Sequence, residues 1–233
     1  SDLTYQRLNS LKGSPLNDIF EDNSGLVWVG SNNSGLNKIN LRLGKFRTIN
    51  QDNGLNYNFV LSFAESGDNL LVGTDGEGIN VWNKKTGKVR VSKPETEGQS
   101  QLFAMIEVEP SLFWGATSNG LVQFDAKKGK FTAPSLACKA AFDTLQSTAI
   151  RTIYMDSRKR VWMGTAKGLF TFDYPTKAYR FWANASGYDD LINSFKEDSK
   201  GTIWIGRGVG LQKYSPMNET IEPVPLVIPS TNI

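Results

Sequence analysis

Ile19-Phe-Glu-Asp-Asn-Ser-Gly-Leu-Val-Trp28-Val-Gly-Ser31, followed by Gly35-Leu36, decides the fold because its pattern returns four more times along the chain. The counterparts are Leu71-Val-Gly-Thr with Gly78-Ile79, Trp114-Gly-Ala-Thr with Gly120-Leu121, Trp162-Met-Gly-Thr with Gly168-Leu169, and Trp204-Ile-Gly-Arg with Gly210-Leu211. The Trp-type positions 28, 71, 114, 162 and 204 lie 42 to 48 residues apart. Self-similarity at that period marks an array of supersecondary units, none of which can bury its apolar face alone.

The register extends beyond the tryptophans. Three residues after each Gly-Leu comes a large apolar residue: Ile39, Trp82, Phe124, Phe172, Tyr214. Asn40, Asn83, Asp125, Asp173 or Ser215 follows, and then a second apolar position at Phe46, Val89, Phe131, Tyr179 or Ile221. Ahead of the Trp column stands an apolar pair, read as Leu16/Ile19, Val60/Phe63, Phe103/Ile106, Ile150/Ile153 and Ile192/Phe195. Between pair and Trp lies an Asp-x-x-Gly turn, clear at Asp22–Gly25 and Asp198–Gly201 and weaker at Asp156–Lys159; Asp favours the first turn position and Gly the last. Each unit therefore reads as four short strands, since apolar residues alternate or come in short β-branched runs and no helical period is sustained. The fold class expected is all-β, a β-propeller of four-stranded blades. The glycine of Trp-x-Gly is read as a place where neighbouring strands approach too closely for a side chain, and the Trp column as core between blades.

The expected blades span about 16–49, 60–93, 102–134, 149–183 and 191–225, forming a single domain over 1–233. Residues 1–15, with Tyr5-Gln-Arg-Leu8, read as an extra outer strand of another blade. One spare strand beside five complete units points to an arc of a longer, seven-bladed type of propeller, whose end blades expose sheet faces and pair with another copy. A closed five-bladed ring is the alternative. Residues 133–148 form an insertion with a possible short helical turn, and 180–190 a second irregular connection.

Composition narrows the chemistry. Apolar residues make up 39% and charged residues 21% of the 233, as in ordinary folded domains. The net charge of +3 is spread over turns, which argues against nucleic acid. No apolar run reaches the roughly 18 residues of a membrane span, and no leader pattern opens the chain at Ser1, as expected once a leader is removed or lies upstream. Cys138 is the sole cysteine, so no internal disulfide forms, which fits a cytosolic or bacterial periplasmic protein. The absence of histidine removes Ser-His-Asp and Cys-His catalysis and His-ligated zinc or haem. A glycosidase-like carboxylate pair stays open on composition alone. No cofactor and no metal is expected.

The pattern resembles the two-component regulator propeller repeat. Ile19 to Ser31, Phe195-Lys-Glu-Asp-Ser-Lys-Gly-Thr-Ile-Trp-Ile-Gly and Arg160-Val-Trp-Met-Gly-Thr-Ala-Lys-Gly-Leu carry the resemblance, which covers about Tyr5 to Ile221. The second and third copies depart from it: Leu71 replaces Trp, and both lack one turn residue. The resemblance implies a periplasmic sensor region of a bacterial hybrid two-component sensor histidine kinase, or of a diguanylate cyclase. It implies a parent with one membrane helix and a cytoplasmic signalling module, homodimerisation through that parent, and an oligosaccharide or other small nutrient as the signal.

Residues that break their column are the candidates for ligand contact, since packing already explains the others. Arg207 stands where other copies have Thr or Ser. Asp75 and Glu77 lie in the second copy's turn between second and third strands, and Tyr57 and Trp182 are off-column aromatics able to stack on a sugar. Ordinary surface side chains are the competing reading of each. The chain itself is expected not to be an enzyme; a purely structural, dimerising role and a polysaccharide lyase or glycosidase on a propeller scaffold are the alternatives.

Overall fold

A computed structural model describes residues 14–94, 101–132, 148–183 and 191–225, except 41, 44 and 77, together with 134, 143 and 145. Among the described residues, twenty strands form five four-stranded antiparallel sheets, each a simple meander in chain order. The first sheet holds β1 (Leu16–Glu21), β2 (Val27–Ser31), β3 (Leu36–Asn40) and β4 (Lys45–Ile49). The second holds β5 (Val60–Ser66), β6 (Asn69–Thr74), β7 (Ile79–Asn83) and β8 (Val89–Ser92). The third holds β9 (Leu102–Glu109), β10 (Leu112–Thr117), β11 (Gly120–Asp125) and β12 (Lys130–Thr132). The fourth holds β13 (Ile150–Met155), β14 (Arg160–Thr165), β15 (Gly168–Asp173) and β16 (Tyr179–Ala183). The fifth holds β17 (Ile192–Glu197), β18 (Ile203–Arg207), β19 (Gly210–Ser215) and β20 (Thr220–Val224). Sheets one to three form one compact unit, and sheets four and five a second. The expected extra strand at 1–15 and most of the 133–148 insertion lie outside the described residues.

The column pairs predicted from spacing are cross-strand neighbours. Ile39 faces Phe46, Trp82 faces Val89, Phe124 faces Phe131, Phe172 faces Tyr179 and Tyr214 faces Ile221. One pair is corrected. The partner of Trp114 across the sheet is Ile106, in the position held by Phe20 opposite Trp28, so the core pair of the third blade is Leu102/Met105 and not Phe103/Ile106. Leu102 and Met105 are buried accordingly. A β-bulge at Val108, between Glu109 opposite Leu112 and Glu107 opposite Phe113, and a short turn replace the Asp-x-x-Gly marker, so Met105 stands as far ahead of Trp114 as Ile19 does ahead of Trp28 and no residue is missing. Counting from Ile106 put the apparent register one residue out, and a shift of one turns every side chain to the other face.

Three first-to-second-strand turns are built on one aspartate. Asp22 Oδ1 accepts from the backbone N–H of Ser24 and Leu26, and its Oδ2 accepts from the indole N–H of Trp28 at 2.8 Å. Asp156 treats Arg158, Arg160 and Trp162 alike, and Asp198 treats Lys200, Thr202 and Trp204 alike. The carboxylate thus fixes the turn and supplies the acceptor that a buried indole requires. The fourth turn position is left-handed in all three, with φ of 75° at Gly25, 63° at Lys159 and 78° at Gly201, so Lys159 fills the glycine place at a steric cost. The second and third blades have no such Asp. Leu71 needs no acceptor, and Trp114 donates to Gln123 Oε1 instead.

Packing runs from each sheet to the next within a unit. Trp28, Leu36 and Ile49 of the first sheet are buried against Val60, Phe63, Leu70 and Val72 of the second. Leu71, Ile79 and Val81 meet Leu102, Met105, Phe113 and Phe124 of the third. In the second unit, Trp162 and Leu169 meet Ile192, Ile203, Ile205 and Tyr214. The glycine column permits this approach: a Cβ at Gly30 would lie 2.7 Å from Val60 Cγ1, and one at Gly164 would lie 2.8 Å from Ile192 Cβ. Outer strands add a recurring arginine toward the next sheet, with Arg47 over the Trp82 ring and Arg180 3.7 Å from Glu219.

Burial works to raise the Asp22 carboxyl, but donors from Ser24, the Trp28 indole and Leu26 outweigh it and leave it below the ordinary value. Asp198 is also lowered, chiefly by the Trp204 indole N–H. A depressed folded pKa adds stability above the unfolded value of about 3.9, lost as pH falls through the folded value. Thermal melts from neutral pH to about pH 2 are expected to show this loss, and the double variant Asp22→Asn/Asp198→Asn to start lower at neutral pH with a flatter profile. Asp22→Ala, which strands the Trp28 N–H, is expected to cost about 2–3 kcal/mol in urea unfolding.

Candidate functional site

The loop between β4 and β5 is held by asparagines. Asn50 caps a short 3-10 turn over Gln51–Asn53, its side chain accepting from Asp52 N while Asn53 Oδ1 accepts from Asn50 N. Asn58 Oδ1 accepts from Gln51 N, and the Asn58 carbonyl accepts from Gly35 N. Asn56 is clasped from below: its N–H donates to Asn80 Oδ1 at 2.9 Å, while its Oδ1 accepts from Asn80 Nδ2 at 2.6 Å and Thr74 Oγ1 at 3.2 Å. Leu55 anchors the loop in the core between the first two sheets.

This scaffold presents Tyr57 between Asn56 and Asn58, with 43% of its surface exposed. The ring base rests on Gly76, where any Cβ would fall 2.7 Å from the Tyr57 Cβ. Asp75 stands next in the chain to that seat; its N–H donates to the Phe59 carbonyl and its Oδ1 accepts from Gln101 Nε2. Tyr57 and Asp75, chosen separately from sequence, are therefore neighbours at one end of the second blade. Such a set offers an exposed aromatic face beside a carboxylate and a carboxamide, held by a network that limits rearrangement. Glu77 lies outside the described residues.

The other two candidates lie in the second unit, in different sheets. Trp182 is not off-column as expected: it faces Leu169 in the place that Ile49 holds opposite Leu36. It is half-buried against the core of the fourth and fifth sheets, with the Arg180 guanidinium 4.7 Å above its ring. It lines a cleft of about 260 Å³ with Arg160, Asp173, Tyr214 and Glu219. Arg160 stacks on Trp162 and Tyr214 and donates to the Tyr214 hydroxyl at 2.6 Å. Burial works to lower the Arg160 pKa, and the Tyr214 hydroxyl outweighs it to leave it raised. The Asp173 carboxyl is lowered, first by the Thr176 hydroxyl. These groups answer one another across the seam between sheets. Arg207 reaches along its own sheet to Gln212 Oε1 at 2.8 Å. Its column hydroxyls elsewhere close the turn to the third strand, as Thr117 and Thr165 do on the carbonyls of Gly120 and Gly168.

Sequence reading missed Asn80, Gln101 and Asn56. The signal for Asn80 was present: Asn37 and Asn80 stand in a core column where the other copies have Val122, Phe170 and Gln212, and both are fully buried. Among the described residues no cluster of His, Cys, Asp or Glu could hold a metal ion, and no helix is long and apolar enough to cross a membrane.

Residues 10–33 and 144–167 match the family model for the two-component regulator propeller. These two segments are similar to the two-component regulator propeller repeat. Over 215 residues it is 24% identical to histidine kinase P4 of Formosa agariphila, covering 85% of this chain and 16% of that protein. Its fold is similar to the extracellular domain of a hybrid two component system from B. thetaiotaomicron, with TM-score 0.71 and 22% identity over 91% of this chain and 28% of that one. It is also similar to virginiamycin B lyase from Staphylococcus aureus, with TM-score 0.70 and 13% identity over 92% of this chain and 71% of that one. At these identities what is shared is the propeller fold, and a propeller scaffold carries many functions.

Asn80→Ala removes the two hydrogen bonds that Asn80 makes with Asn56 and is expected to lower unfolding stability by about 1–3 kcal/mol, read from the urea midpoint. Tyr57→Ala, on the surface, is expected to stay within about 0.5 kcal/mol of the parent.

Proposed function

We propose that this chain is part of the extracytoplasmic ligand-sensing region of a two-component receptor. The match of two segments to the regulator propeller repeat carries this reading. The similarity to a histidine kinase and to an extracellular two-component domain supports it, and the chain spans only 16% and 28% of those relatives' lengths. On this reading the region lies in the periplasm, and the parent supplies a membrane helix and the signalling output.

The signal proposed is an oligosaccharide or another small hydroxylated nutrient. The exposed Tyr57 ring offers a flat apolar surface for the C–H face of a sugar ring. Asp75 and Gln101 stand beside it with the acceptor and donor chemistry that hydroxyl pairs need. The lyase similarity supplies a fold and no catalytic residue, and the chain has no histidine to act as a general base.

Titration calorimetry of the chain against a panel of oligosaccharides checks this. At least one member is expected to bind, and Tyr57→Ala and Asp75→Asn are each expected to weaken it by about tenfold with the melting curve unchanged. Binding untouched by either variant would move the site elsewhere. Bond cleavage in the panel would replace the sensor reading with an enzymatic one, and no binding at all would favour a structural role.

A further inference from the structure

Each sheet of the three-sheet unit is a meander, so its turn between second and third strands and its connection to the next sheet share one end, and its other turns share the opposite end. Tyr57 stands at the first end, in the connection from β4 to β5, seated on Gly76 of the β6–β7 turn. Gln101, which donates to Asp75 of that turn, is the last residue of the connection from β8 to β9.

Charge divides the two ends. In sequence, the connections 50–59, 75–78 and 93–101, which contribute Tyr57, Asp75 and Gln101, carry Asp52, Asp75, Glu77, Glu95 and Glu97 against the single cation Lys93. The strand ends bordering them, Ile49, Val60, Thr74, Ile79, Ser92 and Leu102, are uncharged. The whole chain carries +3, so this excess of carboxylates is local. At the opposite end, turns 84–88 and 126–129 carry Lys84, Lys85, Lys88, Lys127 and Lys128.

Pairing differs in the same sense. At the lysine-rich end carboxylates meet cations: Lys84 pairs with Glu65, Lys85 with Asp68 at 2.7 Å and Lys128 with Asp125 at 3.3 Å. At the Tyr57 end their partners are neutral amides. Asp52 Oδ2 accepts from Asn50 Nδ2 at 3.2 Å, and Asp75 Oδ1 accepts from Gln101 Nε2. Among the described residues neither Asp52 nor Asp75 meets a lysine or an arginine. An aromatic face attracts a cation through its quadrupole, and a carboxylate beside it that no protein cation neutralises adds a Coulomb attraction of the same sign. A uronate or a sulfated sugar meets repulsion from the same groups.

We propose that the Tyr57 site takes the cationic members of the sugar class, oligosaccharides bearing a protonated amine, and discriminates against acidic ones. This rests on the sugar-sensing reading above and names the class within it. The Tyr57 ring holds the C–H face of the sugar, Asp75 receives the ammonium, and the acidic connections draw cationic ligands to this end and turn polyanions away.

Titration calorimetry at about pH 6, where a primary amine is protonated, tests this with a glucosamine tetramer, its N-acetylated counterpart and tetragalacturonate. The glucosamine tetramer is expected to bind at least about tenfold more tightly than the N-acetylated one, and tetragalacturonate to bind weakest. Asp75→Asn, which keeps an acceptor for Gln101, is expected to weaken the glucosamine tetramer more than the N-acetylated one and to bring their ratio to about threefold or less. Added salt is expected to shrink the ratio in the parent chain, because the preference is electrostatic. An N-acetylated or acidic tetramer that binds as tightly as the glucosamine tetramer overturns the inference and leaves the sugar reading standing, as does a preference that Asp75→Asn leaves unchanged. Failure of all three to bind while another sugar binds also overturns the inference alone. No binding by any sugar overturns the reading on which it rests.

Discussion

Everything else in this protein depends on the close approach of one sheet to the first strand of the next. A four-stranded antiparallel sheet with two apolar faces is not stable alone, and in a repeat protein the neighbour supplies the missing core. Here the approach is set by glycine at positions 30, 73 and 164 and filled by the large residues two positions earlier in the strand. Placing an indole in that seam buries an N–H, and an unpaired buried N–H costs a large fraction of a domain's stability. The Asp22, Asp156 and Asp198 clamps meet that need with the same carboxylate that ties the preceding turn. Where the column holds Leu71 the clamp is absent, because there is no N–H to satisfy. Trp82, in a different column, shows the cost left standing: its indole N–H is buried with no acceptor among the described residues.

The candidate site uses what this framework leaves over. The seams consume the apolar columns, so a ligand surface has to come from the connections between strands. The connection from β4 to β5 is long enough to carry its own polar network, from Asn50 through Asn58, and is pinned by Leu55 and Asn80. That network makes Tyr57 a fixed platform, since the loop's ordering is settled before any ligand arrives. The cleft at Trp182 differs in kind. Its guanidinium, carboxylate and hydroxyl groups already pair across the fourth and fifth sheets, as at Arg160 with Tyr214 and Arg180 with Glu219.

Strand register was legible from spacing because a blade repeats its hydrogen-bonded pairs at fixed intervals, and Ile39–Phe46 and its four counterparts emerged as true neighbours. It failed at Leu102/Met105, where the shortened turn removed the marker that sets the phase. Of the site, Tyr57 and Asp75 were readable as residues without a role in their columns. Gln101 was not, since it has no column of its own and reaches Asp75 only after the third blade has packed beside the second.

The sequence by itself determined the repeat, the four strands of each blade and their pairing, because period-two patterning and turn chemistry are local properties written within some forty residues. Tertiary structure alone decided which side chains meet across blades: that Glu65 caps the turn at Asn23, that Gly76 is a seat for Tyr57, and that Trp182 belongs to the core of a seam. Those contacts join residues whose separation in the chain carries no periodic signal, so they come into being only when one sheet is laid against another.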